Sequence, residues 1–379
     1  MQKLYETQEK PKRAFLVSII NDKKYESQCR ELQGLAESLG LEIVSHEKIR
    51  VREKTPRYGM GSGKAEVLTQ NAQDLNADLM VFDWNPTPSQ QRNWEELSGL
   101  PVVDRQELII RIFADRAVTR EAELQVKLAE LFYFLPRLTH KYIDLSRQRG
   151  GRYGTKGSGE TKLETDRRNI EKRIHQLEKE VEQVHKQRKM QRRQRERNNL
   201  PVCAIVGYTN AGKSSLLNAL TNSDVLVEDK LFATLDAVTR RFQPAPGVSV
   251  LLTDTVGFIR QLPHSLIKAF RSTLEEAALA DIIIHILDAS DPDAESNYDT
   301  TMKVLRELGA ENIPMITLLN KIDRLQITEE SEQTTNDEQM PILDVLRNLF
   351  PDCIEVSVKE GIGLDALKAR IVSLCTQTR

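Results

Sequence analysis

Residues 207–214 read Gly-Tyr-Thr-Asn-Ala-Gly-Lys-Ser, the full phosphate-loop spacing of two glycines, a lysine and a hydroxyl residue. The residue types dictate the chemistry. Gly207 and Gly212 let the backbone of Tyr208, Thr209, Asn210 and Ala211 curl so that its N–H groups point at phosphate oxygens. A following helix adds positive potential at its first turn. Lys213 can reach the β- and γ-phosphates of a nucleoside triphosphate. Ser214 can offer a hydroxyl to magnesium, a hard cation that prefers oxygen. The apolar run Val202–Val206 reads as the strand before the loop, which is the setting the pattern requires.

Three further stretches extend the site. Asp254-Thr255-Val256-Gly257 closes an apolar run about 40 residues on; Asp254 can hold the magnesium shell through water, and the Gly257 N–H can meet the γ-phosphate. Asn320-Lys321-Ile322-Asp323 ends a later apolar run. A carboxylate there can accept two hydrogen bonds from the amine and imine of guanine, which adenine cannot offer, while the Lys321 stem covers the base. Ser357-Val358-Lys359 closes the base pocket by position. In this order on strand ends, the set reads as a GTP site whose reaction is hydrolysis to GDP and phosphate. Between the phosphate loop and Asp254, Phe232-Ala233-Thr234-Leu235-Asp236 offers Thr234 as the second hydroxyl for magnesium, with Thr239 as the competing position.

The expected catalytic set is therefore Lys213, Thr234 and Gly257, with Asn210 as a fourth member. Many GTPases carry a glutamine after the glycine of the second motif, where it orients the attacking water. Here that residue is Phe258, which cannot, so slow intrinsic turnover with help from elsewhere is predicted. Asn210 has two readings. Its side-chain oxygen holds a potassium ion bridging the phosphates, or it supports the loop's own hydrogen bonds. Met60-Gly61-Ser62-Gly63-Lys64 invites an ATP reading but fails the full pattern, because Tyr58 stands where glycine is needed and Ala65 where Ser or Thr is needed.

The elements that must carry these motifs are legible from periodicity. Short apolar runs at Ala14–Ile20, Leu41–Val44, Leu79–Phe82 and Pro101–Val103 alternate with helical stretches at Tyr25–Ser38, Ala65–Leu75 and Gln90–Leu97, the signature of a small parallel sheet. Leu124, Leu128, Leu131 and Leu135 then share one helix face, which Pro136 is expected to end. Residues 150–159 form a glycine-rich loop. From about Thr161, Leu163, Ile170, Ile174, Leu177, Val181 and Val184 follow a coiled-coil seam. Strand-like runs resume at Val202–Val206, Val248–Leu252, Ile282–Leu287, Met315–Leu319 and Ile354–Val358. The fold class is α/β: a small parallel α/β domain over 1–104, a long antiparallel helical hairpin over 105–199, and a P-loop GTPase domain with a doubly wound sheet over 200–379.

Charge sets the hairpin apart. From His140 to Asn199 there are 18 Lys and Arg against 9 Asp and Glu, leaving 36 against 47 elsewhere in a chain of formal net charge −2. A basic island on an acidic protein suits a local polyanion contact. Cys29, Cys203, Cys353 and Cys375 lie far apart without metal spacing and read as reduced thiols. The first 12 residues are charged and lack the apolar core of a secretory leader. The longest apolar runs fall well short of the roughly 20 residues a membrane span needs. The expectation is a cytoplasmic protein with at most a peripheral membrane contact and no stable insertion, and a monomer.

Longer strings are more specific than these motifs. Pro88-Ser89-Gln90-Gln91-Arg92-Asn93, Leu135-Pro136-Arg137-Leu138, residues 159–168 (Gly-Glu-Thr-Lys-Leu-Glu-Thr-Asp-Arg-Arg), the Phe232–Asp236 stretch and Asp254-Thr255-Val256-Gly257-Phe258-Ile259-Arg260 resemble the HflX GTPases, from about Arg13 to the end. The sequence departs from that family's pattern at Ala237 and Ser158, where the family usually has proline. The resemblance implies binding to the large ribosomal subunit and its rRNA, ribosome-stimulated GTP hydrolysis, and dissociation of stalled or idle ribosomes, with the hairpin loop reaching toward the peptidyl-transferase region. A basic, glycine-rich tip suits insertion among RNA phosphates; Arg147, Arg149, Arg152, Tyr153 and Lys156 are the candidates, Tyr153 able to stack on a base. The alternative is a regulatory GTPase that binds RNA or a protein without splitting ribosomes. An ATP-driven RNA remodeller is opposed by Asn320 and Asp323.

Overall fold

The computed structural model describes residues 12–20, 25–148, 158–196, 200–221, 223, 230–260, 266, 269–325 and 342–377. The chain divides into two compact units, Met1–Asp115 with Glu130–His175 and Arg116–Ala129 with Gln176–Arg379. These units do not follow the expected boundaries at 104 and 199.

In the first unit, β1 (Arg13–Ile19), β2 (Glu42–Ile49), β3 (Leu79–Phe82) and β4 (Val102–Asp104) form a sheet of order β2-β1-β3-β4. All three pairings are parallel. Four helices accompany it: α1 (Tyr25–Ser38), α2 (Ser62–Asp74), α3 (Pro88–Ser98) and α4 (Arg105–Arg116). Parallel strands covered on both faces read as continuous apolar runs, and β3 is buried at every position. The string around Pro88 is a helix start: Thr87 and Gln90 form a capping box, Pro88 occupies the first turn, and Gly99 ends α3 at φ 69°. Gln91 and Asn93 of the same string anchor neighbouring backbone, donating to the Val102 and Arg57 carbonyls. In Met60–Lys64, Met60 is core and the Lys64 ammonium donates to the Arg50 carbonyl at 2.7 Å.

Residues 105–116, expected in the hairpin, form a helix of their own, α4, with Leu108, Ile109, Ile112 and Phe113 buried. Pro136 was expected to end a helix, yet it lies inside α5 (Arg120–Gln148). A proline inside a helix costs about 3 kcal/mol, and here anchors on both sides of it hold the helix. Tyr133 is buried and donates to a Glu107 carboxylate oxygen at 3.0 Å. Arg137 lies over the Tyr133 ring, donates to the Gln91 side chain at 3.0 Å, and pairs with Asp104 at 2.7 Å. Asp104 is fully buried, and burial pushes its carboxyl up to about 6. The following helix, α6 (Ser158–Glu196), starts slightly earlier than the seam predicted; Ile174 and Leu177 of that seam are buried. Arg120 of α5 lies 3.8 Å from Glu180 of α6, the pairing that antiparallel helices give.

The second unit is built on a six-stranded sheet of order β10-β9-β8-β5-β7-β6. Its strands are β5 (Val202–Gly207), β6 (Val238–Ala245), β7 (Val248–Asp254), β8 (Ile282–Asp288), β9 (Met315–Asn320) and β10 (Ile354–Glu355). Around it lie α7 (Lys213–Thr221), α8 (Arg271–Ala278), α9 (Ala294–Glu307), α10 (Ile342–Leu349) and α11 (Leu364–Gln377). Strand β6 was not anticipated. It pairs antiparallel with β7 at the sheet edge, and Arg240, Arg241 and Pro244 hide its alternation. The expected strand over Ile354–Val358 ends at Glu355, because Ser357 and Val358 turn toward Asn320 and Asp323. The described residues include no helix long and apolar enough to cross a membrane.

Trp94 is fully buried, packs edge-on against Phe82 and Tyr58, and donates its indole N–H to the Tyr58 carbonyl. Trp94→Ala is expected to destabilise the first unit by about 3–5 kcal/mol, read as an earlier urea transition, while nucleotide binding by the folded second unit persists.

Candidate functional site

Strands β5, β7 and β9 bring their carboxyl ends to one side of the sheet, where ligands gather in open α/β folds. The phosphate-loop stretch leaves β5 and enters α7. At Gly212, φ is +103°, and an added Cβ would run into the Asn320 amide. At Gly257, a Cβ would meet the Thr209 backbone at 2.9 Å and the Lys213 ammonium at 3.0 Å. Both positions therefore require glycine for close approach. The loop is tied to the stretch after β7 by backbone bonds from Thr209 N–H to the Phe258 carbonyl and from Phe258 N–H to the Gly207 carbonyl. The Tyr208 hydroxyl accepts from the Arg260 N–H at 2.9 Å.

A cleft opens at this loop, lined by Thr209, Asn210, Gly212, Lys213, Ser214, Ser215, Lys230, Phe232, Ala233, Thr234 and Gly257. Lys213 is 6% exposed and donates to the Tyr208 carbonyl at 2.8 Å. Burial pulls its pKa down to about 8, against the pull of Asp254 in the other direction. Near it three oxygen-bearing side chains converge. Ser214 Oγ lies 2.6 Å from Asp254 Oδ2 and 2.7 Å from Thr234 Oγ1, and Thr234 Oγ1 lies 3.1 Å from Asp254 Oδ2. Asp254 is 0% exposed, and burial pushes its carboxyl up. Its Oδ1 is buried and has no hydrogen-bond partner among the described residues. Two hydroxyls and a carboxylate with an unspent oxygen are a donor set suited to a hard divalent cation, so the residues fit magnesium.

The competition between two threonines has a geometric outcome. Thr234 meets Ser214, whereas Thr239 lies in β6 with its hydroxyl 3.0 Å from that of Thr253. Other members of the predicted set support the cleft without facing it. Thr255 donates to the Ile205 carbonyl, and Leu235, Val256 and Ile322 are buried apolar residues. Asp236 turns its carboxylate to Thr119. Phe258 is 1% exposed and belongs to the core with Val206, Leu274 and Ala277. Asn210 sits at φ 61° and is exposed.

The β9 end carries the second half of the site. The Asn320 amide donates to the Ala211 carbonyl at 2.8 Å and accepts from the Val358 N–H at 3.1 Å. Lys321 donates to the Asn210 carbonyl and pairs with Asp288 at 2.7 Å. Ser357 donates to Asp323 Oδ1 at 2.6 Å, which fixes that carboxylate and leaves Oδ2 as its second acceptor. Lys359 is exposed beside Glu360. Lys230, Ser215 and Asp288 were missed by sequence reasoning. Lys230 stands two residues before the Phe232 stretch, but a lone lysine forms no pattern. Of the hairpin candidates, Arg147 lies in α5, and Arg149, Arg152, Tyr153 and Lys156 lie outside the described residues.

Comparison with known proteins covers the same chain. A family model described as "GTP-binding GTPase N-terminal" matches residues 26–114, "GTP-binding GTPase Middle Region" matches 116–195, and "50S ribosome-binding GTPase" matches 202–321. A GTPase HflX of Akkermansia muciniphila is 45% identical, over 99% of this chain and 88% of its own length. One of Caldanaerobacter subterraneus subsp. tengcongensis is 44% identical, over 94% and 78%. A crystal structure of SsGBP in complex with GDP superposes with a TM-score of 0.52 at 26% identity, covering 97% of this chain and 99% of that one.

Gly212→Ala is expected to lower GDP affinity at least tenfold, by forcing the Asn320 amide away from the loop. Titration with a fluorescent GDP analogue measures it, with circular dichroism confirming that the sheet is retained.

Proposed function

We propose a role at the ribosome for this chain, which belongs to the HflX family of GTPases and hydrolyses GTP to GDP and phosphate. In this reading it binds the large ribosomal subunit and its rRNA, and dissociates stalled or idle ribosomes. The observation that carries the nucleotide half is the convergence of Ser214, Thr234 and Asp254 near the Lys213 ammonium. Lys213 and the loop N–H groups bind the β- and γ-phosphates, and the Gly257 N–H meets the γ-phosphate. Ser214 and Thr234 would hold magnesium, with Asp254 contributing through water, and a magnesium ion there would supply charge neutralisation of the phosphates. Asp323, fixed by Ser357, reads the guanine edge, and the Lys321 stem covers the base.

Phe258 lies in the core, which supports slow turnover in the free protein and acceleration by a partner. Asn210, at the mouth of the cleft, is the position from which a potassium ion would bridge the phosphates; faster turnover in potassium than in sodium tests that role. The ribosome half rests on the family and on the basic hairpin. The family model that matches residues 202–321 carries the words 50S ribosome-binding, which supports the same partner here. The proposed location is the cytoplasm.

Two measurements test this reading. Intact ribosomes incubated with the protein and GTP, or a non-hydrolysable analogue, are expected to separate into subunits on sedimentation. Stimulated hydrolysis without separation would favour a regulatory GTPase that does not split ribosomes. Charge reversal at Arg149, Arg152 and Lys156 is expected to abolish ribosome binding with GTP affinity intact, whereas Lys213→Ala is expected to weaken nucleotide binding first. Unchanged ribosome binding by the charge-reversed protein defeats the RNA-contact assignment.

A further inference from the structure

The stretch that carries Thr234 is tied down at a second point, and the tie comes from outside the GTPase-like sequence. Two residues after Thr234, the Asp236 carboxylate accepts from the Thr119 backbone N–H at 3.2 Å through Oδ2 and from the Thr119 hydroxyl through Oδ1. Thr119 immediately precedes α5. Its hydroxyl accepts from the Ala122 N–H at 3.2 Å and its carbonyl from the Glu123 N–H at 3.0 Å, so it is the N-cap of that helix. Both partners lie in the same compact unit. Thr119 falls in the middle region of the chain, well before residues 202–321.

The geometry points to Thr119 as a positioning residue for GTP hydrolysis: it clamps Asp236, and through it holds the Thr234 hydroxyl over Ser214 and Asp254. This rests on the reading that Thr234 holds magnesium. Among the described residues, the Thr234 hydroxyl bonds to the other members of its own oxygen cluster, and β6 does not begin until Val238. Between those two points Asp236 bonds to another segment of the chain, and that bond is charge-assisted. The carboxylate also faces the positive end of a 29-residue helix, which favours a negative charge there. With the clamp made, Thr234 needs little ordering when an ion arrives; with it broken, the buried Phe232 and Leu235 side chains still anchor the stretch, and the remaining ordering falls on the ion. Because Thr119 is exposed, the effect is a moderate one.

The test uses the full chain with the substitutions Thr119→Val, Thr119→Ser, Asp236→Ala and Thr234→Ala. Three readouts are taken: GTP turnover, the magnesium concentration giving half-maximal turnover, and GDP affinity in EDTA. Thr119→Val is expected to raise the magnesium requirement about threefold to tenfold, to lower turnover similarly, and to leave GDP affinity in EDTA unchanged. Thr119→Ser keeps the hydroxyl and restores both. Asp236→Ala, which also loses the bond from the Thr119 N–H, is at least as severe as Thr119→Val, and the double variant is no worse than Asp236→Ala. A Thr119→Val protein with normal magnesium dependence, alongside a Thr234→Ala protein that has lost it, overturns the clamp and leaves the magnesium assignment standing. If Thr234→Ala itself keeps the normal dependence, the magnesium assignment fails and the clamp with it. Should Thr119→Val fold poorly, Asp236→Ala carries the test, because it leaves the α5 cap intact; a normal magnesium response there also overturns the clamp.

Discussion

A fully buried carboxylate is the constraint around which the second unit is organised. Asp254 sits at the end of an interior strand, where an ionised group is costly unless it is answered. The protein answers one oxygen with the Ser214 and Thr234 hydroxyls and leaves the other without a partner among the described residues. It places a second buried charge, Lys213, nearby, and burial opposes both charges. Such a pair is poorly satisfied by protein alone and well matched to a magnesium–triphosphate complex. The arrangement trades local stability for affinity toward a ligand that supplies the missing charges.

The sheet makes this possible by register. Ile205 of β5 lies beside Asp254 of β7, and Gly207 beside Ile286 of β8. The phosphate loop and the carboxylate are therefore neighbours by strand pairing before any side chain acts. Strand β9 extends the row, with Asn320 beside Asp288. Asn320 then reaches across to Ala211, locking the segment after β9 to the phosphate loop. One backbone scaffold fixes both ends of the nucleotide cleft.

Much of this was legible in the sequence because parallel strands, buried on both faces, appear as unbroken apolar runs. Ile282–Leu287 and Val202–Val206 announce themselves, and the motifs at their ends need only be placed. What escaped had specific causes. Strand β6 is an edge with Arg240 and Arg241 exposed, so no apolar alternation marks it. Pro136 reads as a helix end from local rules, and its continuation depends on Arg137 finding Asp104 and Gln91, contacts separated by 33 and 46 residues. Thr234 and Thr239 are equivalent by spacing; only the pairing of Thr239 with Thr253 across the β6–β7 ladder distinguishes them. Lys230 joins the cleft, and Asp288 pairs with Lys321, through tertiary placement, for which sequence carries no period.

The burial of Phe258 has an evolutionary consequence. A glutamine at this position would set an amide among Val206, Leu274 and Ala277, exchanging aromatic packing worth about 3–5 kcal/mol for an unpaired polar group costing a further 1–3 kcal/mol or so. A glutamine therefore cannot be installed at this position by a single codon change without undermining the domain. The position is committed to the hydrophobic interior, and selection on the cleft must act through residues that already face it.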